Sequence, residues 1–217
     1  MMKKIKAVVF DLNGVIIDSN KFNAELFKEV FSKYGENVAN AVANHYLHNG
    51  GIPRKLRMEM YLRDFANIEP TYDRVIQLLD KFSRLLKERL SSVPLVKGVK
   101  DFLEKNRDKY LFFISSGALP GDIKRILTQK DIIHYFTGVY GSPFPKNEHL
   151  KDIMSEYNLS NNEVVFIGDS IHDYDAAKQT GVCFVGMVTP ENHWNTIDSK
   201  IRDITELEDI LAKISKK

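Results

Sequence analysis

Cysteine is almost missing from this chain of 217 residues: Cys183 is the only one, which excludes an internal disulfide and a thiolate metal cluster. Long apolar runs are missing too. No stretch approaches the roughly 18 consecutive apolar residues of a membrane span. The apolar run within "MMKKIKAVVFDLN" is too short for a signal peptide, so a cytoplasmic protein is expected. There is no surplus of charge, with 31 Lys and Arg against 29 Asp and Glu and a formal net charge of +2. No whole-molecule field then draws the protein to nucleic acid or to an anionic membrane, and neither is expected as a partner. A small anion needs only local positive charge. Internal repeats and low-complexity tracts are absent as well.

What the chain does have is alternation. "IKAVVF" (5–10) is a short apolar, β-branched run that ends on a carboxylate, the pattern of a buried parallel strand delivering Asp11 to a loop. A region without strand signals follows. "NKFNAELFKEVFSKYG" repeats Phe22, Leu26, Phe27, Val30 and Phe31 at helical spacing, with Ser19 or Asn20 as N-cap and Gly35 as stop. "ENVANAVANHYLHNGG" predicts a second helix, Pro53 opens a third through about Phe65, and "TYDRVIQLLDKFSRLLKERL" predicts a long fourth. "SSVPLVKGV" (91–99) then breaks the helical pattern as a hinge. Strands are predicted at 110–115, 138–141, 163–169 and 182–187, with helices at about 99–107, 120–130, 147–157 and 173–180 between and around them. Repeated β-α-β implies an α/β fold with a parallel sheet, helices on both faces, and a site at the carboxyl ends of the strands.

Four short segments fall just after predicted strands: Asp11-Leu12-Asn13-Gly14, Ser115-Ser116-Gly117, Lys146 in "SPFPKNE", and "GDSIHDYDAA" (168–177). Together they supply what phosphoryl transfer requires. Asp11 can attack phosphorus, and with Asp169 and Asp173 it can hold a hard, oxygen-seeking Mg²⁺. Ser115 and the amides of Ser116 and Gly117 can grip phosphate oxygens, while Lys146 adds fixed positive charge.

In order and spacing these motifs resemble the haloacid dehalogenase superfamily, over nearly the whole chain. The helical insertion is similar to the cap of its phosphoglycolate phosphatase and β-phosphoglucomutase branch. The resemblance implies a Rossmann-like core of residues 1–14 and 94–217, with an inserted all-helical cap of 15–93. It implies Asp11 as nucleophile and metal ligand, Ser115, Ser116, Gly117 and Lys146 as phosphate holders, Asp169 as metal ligand and Asp173 as a nearby ligand or supporting acid. Position 13 gives its main-chain carbonyl to the metal in this family, and its side chain is an Asp acting as general acid/base. Here it is Asn13, which keeps the carbonyl but cannot shuttle a proton. Either the exchange is engineered, or it is native and marks a slow enzyme or one that takes protons from substrate or water. "GGIPRKL" is similar to a Gly-Val-Ser-Arg segment of the mutase branch, which implies that Arg54 reaches down to the substrate. Arg57 lies on the same helix face and Lys55 about 100° away.

Simpler readings stand beside several of these. Ser115 and Ser116 can cap the following helix, and Lys151 competes with Lys146. Asp173 and Asp175 suit a helix start on dipole grounds alone. His45 and His48 lack a third ligand and suit surface or packing, His172 a variable loop position, and Cys183 a buried strand. The aromatic stripe from Phe22 to Tyr34 suits the cap core. The function expected is a Mg²⁺-dependent phosphatase for a small phosphorylated metabolite such as a sugar phosphate, as a monomer or weak homodimer. A phosphomutase, disfavoured by Asn13, and a phospho-ligand-binding pseudoenzyme, disfavoured by the intact nucleophile, are the alternatives. Dehalogenase chemistry is less suited still, because it needs no metal and this chain keeps a full acidic fourth motif.

Overall fold

The computed structural model describes residues 4–89, 92–189 and 194–216. Met1–Lys3 of the predicted core, and Leu90 and Ser91 at the predicted junction of cap and hinge, lie outside the described residues. Six parallel strands form one sheet in the order β3-β2-β1-β4-β5-β6. They are β1 (Ala7–Phe10), β2 (Leu111–Ser115), β3 (Gly138–Tyr140), β4 (Val164–Gly168), β5 (Cys183–Met187) and β6 (Lys200–Ile201). The first five match the predicted strands to within two residues at either end.

β1 is buried on both faces, and its side chains alternate between two cores. Val8 and Phe10 join a large cluster with Phe102, Ile123 and Leu211, and Ala7 and Val9 join a smaller one with Leu150, Ile153, Ala176 and Ala177. These contacts assign the helices to the two faces. α5 (Val99–Asn106), α6 (Pro120–Gln129) and α9 (Leu207–Ser215) cover one, while α7 (Lys146–Glu156) and α8 (Ile171–Thr180) cover the other. Full burial of one such aliphatic or aromatic side chain contributes about 1.5–3 kcal/mol. β6 and α9 were not among the predicted elements.

Between β1 and α5 the chain is helical: α1 (Asn20–Phe31), α2 (Glu36–His48), α3 (Arg54–Met60) and α4 (Tyr72–Arg89). The third predicted helix continues past α3 as a π-helical turn over Tyr61–Phe65. The apolar stripes of α1 and α4 meet through Phe27, Phe31, Leu78 and Phe82, with the Phe27 and Phe82 ring centroids 4.6 Å apart. The chain leaves and re-enters this helical block side by side. Ile17 bridges Leu95, and the Asp18 amide donates to the Pro94 carbonyl at 3.0 Å.

Register places the ends of three strands level. Phe10 stands opposite Ile114 on one side and Ile167 on the other. The next residues along, Asp11, Ser115 and Gly168, therefore share one edge of the sheet. Among the described residues no helix is long and apolar enough to cross a membrane.

Candidate active site

Asp11 follows β1 directly, its amide donating to the Ile167 carbonyl at 2.9 Å, and the residue is 4 % exposed. Lys146, the first residue of α7, is buried beside it and donates from Nζ to Asp11 Oδ1 at 2.8 Å and to Asp173 Oδ1. Lys151, the competing lysine, is exposed. Asp173 is held from its other side by Ser170, whose amide and hydroxyl donate to Oδ2 at 3.0 and 2.6 Å in a capping box that starts α8. This cap explains why α8 begins before the predicted position 173. Asp169 accepts from Asn20 Nδ2 at 2.7 Å. Gly14, at φ +79°, lets the loop pass so close that a Cβ there would sit 2.2 Å from Asp169 Oδ2.

One oxygen from each of Asp11, Asp169 and Asp173 lies within 4.8 Å of the others. Burial pushes the Asp11 carboxyl up to about 6; Lys146 pulls it back and Asp173 pushes it further. Burial, then the charges of Asp11 and Asp173, raise Asp169 well above the usual carboxylate range. Burial works to lower Lys146, but the two carboxylates outweigh it and its pKa is raised. Lys146 pairs with Asp11 and Asp173, and the clustered carboxylates hold one another's pKa values up. Hard oxygen donors in that state fit a divalent cation of the Mg²⁺ type.

The Asn13 side chain faces the same space. Its Oδ1 accepts from Ser19 Oγ at 2.7 Å and from Asn23 Nδ2 at 2.8 Å, both at the start of α1. Asn13, Asn20 and Asn23 thus form a band of amides next to the carboxylates. Beyond them the cavity continues between Ser116, Gly117 and Ala118 on one wall and Phe27, Tyr46, Gly50, Gly51, Ile52, Arg54, Arg57 and Phe82 on the other. Its free volume is about 40 Å³. Burial holds the Tyr46 phenol up to about 12, so it stays protonated.

Ser116 and Gly117 line this cavity, but Ser115 does not. The Ser115 hydroxyl is fully buried and pairs with His149 Nδ1 at 3.0 Å, while His149 Nε2 pairs with the Gly141 carbonyl at 3.2 Å. A carbonyl only accepts, so Nε2 carries the proton and bare Nδ1 takes the Ser115 O–H. Burial lowers the His149 pKa to about 4, which keeps the ring neutral. The Ser115 hydroxyl, expected to grip phosphate, is thus engaged by His149 of α7 and does not line the cavity. Nothing in the local sequence marks His149 for this role.

Arg54 also departs from expectation. It borders the cavity, yet Nη1 donates to Asp122 Oδ2 on α6, and the guanidinium lies 4.3 Å from the Phe82 ring centroid. The Arg54 amide donates to the Gly117 carbonyl at 2.8 Å, joining the start of α3 to the loop after β2. Lys55 is exposed near Glu59. Arg57, passed over for Arg54 in the sequence, is 2 % exposed and reaches the cavity wall. His45 pairs with the Tyr61 hydroxyl at 3.1 Å and His48 with the Asn44 carbonyl at 2.9 Å, while His172 is exposed. Cys183 starts β5 half-buried rather than buried.

The haloacid dehalogenase-like hydrolase family model matches residues 8–187. The phosphoglycolate phosphatase of Vibrio cholerae is 27 % identical over 206 residues, covering 90 % of both chains. The phosphoglycolate phosphatase of Aliivibrio fischeri is 24 % identical over 99 % of both. Among solved structures, a predicted phosphoglycolate phosphatase from Haemophilus somnus superposes with a TM-score of 0.77 at 22 % identity, over 97 % of this chain and 99 % of the other.

Proposed function

The chain belongs to the haloacid dehalogenase-like hydrolase family, and from that premise we propose that it is a Mg²⁺-dependent phosphatase of a small phosphomonoester. The observation that carries this reading is the buried Asp11–Lys146–Asp173 cluster, with Asp169 beside it, where Asp11 and Asp169 line one end of a small cavity. Phosphoglycolate is the first substrate to try, because relatives that align with this chain almost end to end carry that name. The helical block of residues 15–93 serves as a cap over a core of 1–14 and 94–217. The protein works in the cytoplasm as a monomer or weak homodimer.

Asp11 attacks phosphorus, expels the alcohol and becomes an aspartyl-phosphate, which water then hydrolyses to free phosphate and Asp11. Lys146 holds the Asp11 carboxylate in place and offsets the charge that builds on the phosphoryl oxygens. The Ser116 and Gly117 segment faces the cavity and offers the Ser116 hydroxyl and the Gly117 amide as donors, the Ser116 amide being taken by the Tyr140 carbonyl. Asp11, Asp169 and the Asn13 carbonyl would hold Mg²⁺, with Asp173 behind them anchoring Lys146. When bound, the ion supplies further neutralisation of negative charge at the phosphoryl group. Asn13 gives no proton to the leaving alcohol, so that proton comes from water or from the substrate. This places the enzyme among slow phosphatases. The same deficit argues against a phosphomutase, which must move protons on and off sugar hydroxyls.

Phosphate release from a panel of phosphomonoesters, with Mg²⁺ and with chelator, tests the reading. Metal-dependent release from at least one small ester is expected; no release from any ester, with the protein folded, would refute it.

A further inference from the structure

Among the described residues, Arg57 is a buried cation with no acid beside it. Its guanidinium donates to the Asn49 carbonyl at 2.6 Å and to the Tyr61 hydroxyl at 3.1 Å, both neutral acceptors. It sits 4.8 Å from the centroid of the Tyr46 ring and 5.8 Å from that of Phe27. Among the described residues no carboxylate lies within ion-pair distance of it. Its neighbour on the same helix face, Arg54, shows the contrast, because Asp122 neutralises that charge. A buried charge left unpaired is strongly disfavoured, and proteins that keep one usually supply the missing counter-ion by binding it.

The position of Arg57 says where that counter-ion sits. Its side chain borders the cavity whose far end is formed by Asp11, Asn13 and Asp169. Five N–H groups radiate from a guanidinium in a rigid plane, and only two acceptors from the protein are engaged here. The remaining donors match the planar, two-oxygen geometry of a carboxylate. The cavity is small: at about 40 Å³, against about 10–15 Å³ for one water, it has room for only about three or four water-sized groups.

Resting on the phosphatase reading, we infer that Arg57 is the specificity-determining residue of this site and binds a carboxylate on the leaving group of the substrate. The phosphoryl end then lies at Asp11 and the carboxylate end at Arg57, with the aromatic rings of Phe27, Tyr46 and Phe82 excluding water between them. Arg54 plays a different part, tying the helical block to the core through Asp122 and Gly117.

Binding tests this independently of turnover. Phosphonoacetate and ethylphosphonate, which differ in a carboxylate at the end of a two-carbon chain, are titrated calorimetrically into the protein with Mg²⁺ present. The wild-type protein is expected to bind phosphonoacetate at least about tenfold more tightly, the scale of one charge-assisted pair. Arg57→Gln should bring the two affinities within about twofold, Arg57→Lys should restore part of the difference, and Arg54→Gln should keep it. A wild-type ratio near one, no binding of either compound, or a ratio that survives Arg57→Gln would overturn the assignment. If Arg57→Gln does not fold, the wild-type ratio and Arg57→Lys still decide. Phosphate release separates the two claims. Equal binding of both compounds by a protein that hydrolyses esters refutes the carboxylate pocket alone, and a tenfold ratio without any hydrolysis refutes the phosphatase alone.

Discussion

Replacing Asp122 by Ala should destabilise the protein more than replacing Arg54, its partner. The Asp122 and Arg54 side chains are 5 % and 8 % exposed, so both charges depend on each other rather than on water. Asp122 has two further partners: Ser83, which donates to Oδ2 at 3.0 Å, and Arg125, which reaches Oδ1 at 3.0 Å and is 43 % exposed. Asp122→Ala strands Arg54 as an uncompensated buried charge, at a cost of about 3–5 kcal/mol. In a chain of this size 1 kcal/mol corresponds to about 2–4 °C in Tm, so a fall on the order of 10 °C is expected. Arg54→Ala leaves Asp122 still paired with Arg125 and should cost only about 1–3 kcal/mol, largely lost packing on Phe82. Urea denaturation of both single variants and the double variant reads the coupling, expected at about 1–3 kcal/mol. Additive losses, or Asp122→Ala within about 0.5 kcal/mol of wild type, would refute the tie between α3 and α6.

The other predictions concern the site itself. Asn13→Asp would receive the Ser19 and Asn23 hydrogen bonds that Asn13 now accepts, and it should raise phosphatase turnover by roughly 10²–10⁴; unchanged turnover would show that protons already travel efficiently by another route. Mg²⁺ at about 100 times its Kd should stabilise the protein by about 2.7 kcal/mol at pH 7, read as a rise in Tm. The effect should be absent in Asp169→Ala and should fade as pH falls through about 6, where Asp11 takes up a proton; an equal rise in Asp169→Ala would contradict the proposed ligands. His149 titrates near 4 when folded against 6.5 when free, so the unfolded chain takes the proton first. Stability is then lost as pH drops from 6.5 towards 4, by up to about 3 kcal/mol, and a slope over that interval unchanged in His149→Gln would refute the buried neutral histidine.

How much of this was legible in the sequence depended on distance along the chain. Five strands announced themselves because each is a short apolar run, and the segments that follow four of them hold Asp11, the Ser-Gly turn, Lys146 and the Asp169 to Asp173 stretch that the fold gathers at one edge. β6 was not visible, since two residues carry no periodicity. α9 did have apolar residues at helical spacing, Leu207, Ile210, Leu211 and Ile214, but no motif drew attention to them. The orientation of Ser115 depended on His149, 34 residues away. The pairing of Arg54 was hidden for the same reason: Arg54 and Arg57 lie on one helix face, and what separates them is Asp122, 68 residues beyond Arg54. A local pattern gives the position of a charge but not its partner.

If Asp11 is the nucleophile of a metal-dependent phosphatase, turnover must vanish with its carboxylate. The deciding experiment is the initial rate of phosphate release from phosphoglycolate by the wild-type protein and by Asp11→Asn, which keeps shape and the Lys146 contact, in Mg²⁺. Release by the wild-type protein and a loss of at least about 10³-fold in Asp11→Asn are expected, since the covalent step goes with the carboxylate. Release by Asp11→Asn at a rate within about tenfold of wild type would rule Asp11 out as the nucleophile.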